Sequence, residues 1–127
     1  MSEVNATKWV NGSSIPRRPV LLSSALPSSH LPRLYASAAC CGCVVQCSRG
    51  EGWGLPAAEA IAMAAPTAAT NWSGSTAFLH NNAAFLIPVQ EIVDVDPTEA
   101  NNTDHHHWAL PSVDGLRKIL RYIFENR

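Results

Sequence analysis

Read from the amino end, apolar and polar residues alternate in blocks whose lengths change character along the chain. The stretch from Val20 to Pro27, VLLSSALP, predicts a short apolar strand followed by a turn. His30 to Ala38, HLPRLYASA, predicts a short helix entered through Pro32. An apolar strand is expected from Cys43 to Cys47. A helix follows from about Leu55 to Ala65, with Pro56 suited to its first turn and Pro66 to its stop. TAAT, from Thr67 to Thr70, has the length and composition of a small buried strand. GSTAFLH opens another short helix, and AAFLIPV, from Ala83 to Val89, is again a strand.

The segment from Asp94 to His107 is polar, contains Pro97, shows no period and is expected to be a loop. The last element is the clearest. Leu116, Ile119, Leu120, Ile123 and Phe124 recur at helical spacing, with Ser112 placed to cap the helix. Strands alternating with helices predict an α/β fold with a Rossmann-like parallel sheet flanked by helices. Residues 1–19 are polar and rich in Ser, Asn, Pro and Arg, and read as a loosely ordered leader. Residues 20–127 form the domain.

Composition sharpens this picture. The chain has 127 residues, 46% hydrophobic and 15% charged, enough for one core. A net charge of −1 gives no basis for a nucleic-acid partner or an anionic membrane. No apolar run approaches the ~20 residues needed to span a bilayer, and the first twenty lack a secretory core. A cytoplasmic protein is the expectation. Cys40, Cys41, Cys43 and Cys47 crowd one apolar stretch. On a strand, Cys43 and Cys47 would share a face roughly 13 Å apart, too far for a disulfide. Buried free thiols are expected, with metal ligation as the alternative.

Candidate chemistry gathers in SRGEGWGLPAAEA, from Ser48 to Ala60. Gly50, Gly52 and Gly54 let the backbone approach a ligand closely. The helix beginning near Leu55 offers outward amides with partial positive charge, a natural seat for phosphate. Glu59 stands on an otherwise Ala, Ile and Met helix, so its carboxylate must face solvent or a hydrogen-bonding partner. Vicinal sugar hydroxyls would satisfy it. Glu51 lies on the loop before the helix. Glycine-rich turns and surface glutamates also occur without any ligand. Trp53 and Trp72 suit either sugar stacking or packing. Asp104, His105, His106 and His107 raise a metal site, but adjacent histidines in a loop converge poorly on one ion.

The stretch SRGEGWGLPAAEAIAMAAPTAATNWSGSTAFL, from Ser48 to Leu79, resembles the signature of retaining, nucleotide-sugar-dependent glycosyltransferases of the large group-one family, relatives of glycogen synthase and sucrose synthase. LPRLYASA resembles the helix before that signature, AAFLIPV the strand after it, and HHHWALPSVDGLRKILRYIFEN a helix segment further on. The resemblance covers roughly residues 20–126. It implies the C-terminal half of a GT-B fold. Glu51 would contact the transferred sugar near the reacting carbon as the catalytic acid of the motif, and Glu59 would bind the ribose. Gly50, Gly52, Trp53, Gly54 and Leu55 would hold the donor sugar and diphosphate. It implies no cofactor and no obligatory metal beyond the nucleotide-diphosphate sugar itself.

The family's MAMGLP stands here as IAMAAP, placing Ala64 and Ala65 at the Gly-Leu positions. An acceptor-binding domain and the start of the donor domain have no counterpart. The resemblance therefore implies a partial donor domain that works with a complementary acceptor-domain polypeptide on an unspecified acceptor. A non-catalytic nucleotide-sugar binding module and a degenerate inactive fragment are the alternatives.

Overall fold

The computed structural model describes residues 25–95 and 106–126. The expected leader, the strand start at Val20 and most of the loop before His107 lie outside the described residues. After a 3₁₀ turn at Ser28–His30, helix α1 spans Leu31–Cys41 and strand β1 spans Val44–Gln46. Helix α2 covers Leu55–Ala62 and strand β2 Thr67–Thr70. A second 3₁₀ turn at Gly74–Ala77 leads to β3 at Phe85–Ile87. Strands β4, Val89–Asp94, and β5, His107–Pro111, precede the final helix α3, Val113–Glu125.

Strands β1, β2 and β3 form a parallel sheet in that order, with Val45 opposite Ala68 and Ala68 opposite Phe85. Side chains alternate between the two faces. Val44, Gln46, Thr67, Ala69 and Leu86 share one face and Val45, Ala68, Thr70, Phe85 and Ile87 the other. The first face meets α1 and α2. Ala69 packs with Ala57 of α2, Leu79 and Ala84. Val44 joins Tyr35 of α1 and Ala60 of α2. On the second face Tyr122 of α3 lies against Phe85, ring centroids 5.9 Å apart. The protein is thus α/β, a parallel sheet with helices on both faces.

Alanine dominates the interior: Ala57, Ala60, Ala65, Ala68, Ala69, Ala84 and Ala109 are all buried, and the largest wholly enclosed side chains are Ile87 and Thr67. Each alanine removes little apolar area from water, so the core gains less per residue than one built from Leu or Ile.

Four expectations need correction. Helix α2 stops at Ala62, not Ala65. The amide of Ala65 donates to the Ala60 carbonyl and that of Ala64 to the Ile61 carbonyl, both at 2.9 Å, and Ala64 takes the left-handed conformation, φ 56°. This is a Schellman end with alanine where glycine is favoured. The strand expected from Ala83 to Val89 divides at Pro88 into β3 and β4. The expected Asp94–His107 loop has strand at both ends. Asp94 and His107 close an antiparallel β4–β5 ladder whose register shifts between Val89 and Glu91. The segment HHHWALP accordingly contributes a strand, and helix begins only at Val113. Finally, Cys40 and Cys47 are exposed and Cys43 half-buried, so these thiols are not core residues. Cys40 and Cys43 also stand at C-x-x-C spacing, which reading the cysteines as separate buried thiols passes over.

Candidate functional site

The glycine turn leaves the carboxyl end of β1, the sheet edge where α/β proteins bind ligands. Its shape is imposed from outside. The Glu51 carbonyl accepts from the Ser73 hydroxyl at 2.8 Å and from the Gly74 amide at 3.0 Å. The Glu51 amide donates to the same Ser73 oxygen at 3.3 Å. A side chain on Gly74 would overlap the Gly52 carbonyl, so glycine is required there by close approach. Earlier on the chain, the Arg49 carbonyl accepts from the Ala109 amide of β5 at 2.9 Å. The Arg49 guanidinium lies 4.4 Å from the centre of the Trp108 ring, a cation–π contact.

Ser73 is itself unusual. Its φ of 68° and ψ of −159° fall in a region occupied almost solely by glycine. Such strain, of order 1–3 kcal/mol, persists where surrounding contacts over-determine it and clusters at functional sites. Here the contacts are those that pin Glu51.

At the start of α2, Gly54 adopts the left-handed conformation, φ 89°, and any Cβ there would also sit 3.0 Å from that of Ser75. Of the helix's orphan donors, Pro56 has no N–H and Ala57 donates to the Gln46 side-chain oxygen at 2.9 Å. That leaves the amides of Gly54 and Leu55 at the tip, Gly54 being buried and Leu55 exposed. In the sequence, Gln46 is legible only as a polar residue closing an apolar strand; its capping role is a long-range contact.

Among the residues named from sequence, Gly50, Gly52, Trp53, Gly54 and Leu55 form one continuous turn into the helix. Glu51 is half-buried within it, and its carboxylate takes part in none of the ion pairs among the described residues. Glu59 is exposed on the second turn of α2. Its Oε2 accepts from the Tyr35 hydroxyl of α1 at 2.9 Å. Tyr35 is buried, and burial, then the hydrogen bond and charge of Glu59, push its phenol above the ordinary tyrosine range. Trp53 packs on Phe78 at 5.1 Å yet remains 52% exposed, leaving ring surface for a second contact.

Beside the turn, Asn71, Trp72, Ser73, Thr76, His106 and His107 line an open depression of about 610 Å³. His107 Nδ1 stands 2.8 Å from Asp94 Oδ1 across the β4–β5 ladder. Sequence reading isolates neither Ser73 nor Tyr35, and the signal for both is faint: a Ser-Gly pair after a strand, and one hydroxyl on an apolar helix. Among the described residues no three His, Cys, Asp or Glu side chains gather to hold a metal ion. No helix among them is long and apolar enough to cross a membrane. No family model and no curated protein matches the chain.

Proposed function

We propose that the chain is the donor-binding part of a retaining glycosyltransferase of GT-B type, taking a nucleotide-diphosphate sugar. The observation that carries this reading is the glycine turn at the carboxyl edge of the sheet, pinned through both main-chain polar atoms of Glu51 and running into a helix tip at Gly54 and the exposed Leu55. A diphosphate beside Gly54 and Leu55 is stabilised by their amides and by the positive end of α2. Glu51, on the rigid turn, meets the sugar near its anomeric carbon, and Glu59, further along α2, meets the ribose. A turn held still in advance loses little of the binding free energy to ordering. Transfer to the acceptor, with the configuration at the anomeric carbon retained, involves a complementary acceptor-binding polypeptide.

Saturation-transfer NMR with UDP-glucose and GDP-mannose tests donor binding directly. Transfer to ribose and hexose protons from at least one donor is expected, and none from either overturns the reading. With an acceptor-binding half supplied, Glu51→Gln is expected to lower kcat by about a hundredfold, the scale of losing one electrostatic contact in the transition state. Undiminished turnover removes Glu51 from its role.

A further inference from the structure

We propose that Tyr35 is a positioning residue that holds the Glu59 carboxylate ready for the ribose hydroxyls of a bound nucleotide. The inference rests on the donor-binding reading of Glu59 and adds to it a residue outside the signature, on another helix and 24 positions away.

Glu59 is exposed, and an unrestrained glutamate on a helix surface samples several rotamers. Binding through such a side chain costs the entropy of fixing it. In this protein part of that entropy is already lost within the fold. The Tyr35 ring is buried between α1 and α2 with Ala60 and Ala65, so its hydroxyl is a fixed point. That hydroxyl donates to Oε2 at 2.9 Å, which selects one carboxylate orientation and occupies one lone pair. Oε1 and the remaining lone pair of Oε2 stay available to accept. Ribose hydroxyls are donors, so the arrangement is complementary in kind. A tyrosine also has the reach to do this: it spans from the packed interface to the exposed rim with few rotatable bonds.

A purely structural role for the same bond would be a helix-to-helix tie, indifferent to what binds at Glu59. The two are separated by a ligand that lacks the hydroxyls. The probes are UDP and GDP, each with its 2′,3′-dideoxy analogue, and the measurement is Kd by titration calorimetry on the full chain. Tyr35→Phe keeps the ring and removes only the donor, and circular dichroism verifies that it folds. For whichever ribonucleotide binds, Tyr35→Phe is expected to raise Kd about fivefold, the scale of freeing one long side chain, while leaving Kd for the dideoxy analogue unchanged.

Glu59→Gln serves as the second arm. It is expected to weaken the ribonucleotide and, combined with Tyr35→Phe, to abolish the effect of that substitution. Equal weakening of ribo and dideoxy forms by Tyr35→Phe, or no weakening of either, overturns the positioning role while leaving donor binding intact. Wild-type chain that binds ribo and dideoxy forms alike, with Glu59→Gln unchanged, overturns the role of Glu59 itself. No binding of either diphosphate overturns both.

Discussion

Ala64→Gly should stabilise this protein, and the expected size follows from its backbone. Ala64 occupies the C′ position of α2 with φ 56°, and the two hydrogen bonds of the Schellman motif hold it there. For a residue with a Cβ the left-handed conformation costs about 1–2 kcal/mol. Glycine removes that penalty but adds about 0.5–1 kcal/mol of extra freedom to the unfolded chain. The net gain is therefore about 0.5–1 kcal/mol. An unfolding entropy of roughly 2.1 cal/mol/K per residue makes that a rise in Tm of about 3 °C for a chain this size.

Thermal unfolding followed by far-ultraviolet circular dichroism, with a urea titration to verify an unchanged m-value, measures it. Ala62→Gly is the control: Ala62 is the last residue of α2 and lacks positive φ. There the same chemical change is expected to destabilise, by up to about 1 kcal/mol. The opposite signs matter more than either value. A fall in Tm for Ala64→Gly, or equal shifts at both positions, would refute the account of how α2 ends.

Two further outcomes follow from contacts at the turn and at α1. Gly74→Ala places a methyl group against the Gly52 carbonyl, so it should lower stability by about 2 kcal/mol or more and displace Glu51; an unchanged urea midpoint would show that the two loops are not in contact. Tyr35 has its pKa raised in the folded chain by burial and by Glu59. The folded state therefore keeps this proton longer than the unfolded state, whose tyrosine titrates near about 10. The associated stability is fully present below about pH 10 and is lost as pH rises through the folded pKa. The stability difference between wild type and Tyr35→Phe should narrow as the pH rises past about 10, and a difference independent of pH refutes it.

The β-α-β centre of the fold is legible in the sequence because its signals are local. Thr67–Thr70 is bounded by Pro66 and a polar turn, and Ser112 caps α3 as expected, accepting from the Gly115 amide at 3.1 Å. The β4–β5 ladder is hidden for two reasons. Its register shift near Gln90 breaks the two-residue alternation, and the histidines before Trp108 disguise a strand that pairs only in the tertiary fold. The end of α2 is invisible because alanine is the best helix former, and nothing in Met63-Ala64-Ala65 announces a left-handed residue.

The glycine turn stands out from spacing alone. What sets its shape does not, since Gln46 and Ser73 act across 11 and 22 residues. Cysteine burial is not legible either: thiol composition reports an average preference, while Cys40 falls on an outward position of a helix end.

The Arg49–Ala109 bond bears on the order of folding. The strand–helix–strand unit closes over short separations, and such segments form early because little loop entropy opposes them. The turn between them is completed only when β5, far downstream of Arg49, docks its Ala109 amide and Trp108 ring. A chain emerging from the ribosome would thus possess α1, α2 and the parallel sheet before β5 fixed the Arg49 end of its glycine turn. The final shape of that turn would arrive with the hairpin, ahead only of α3.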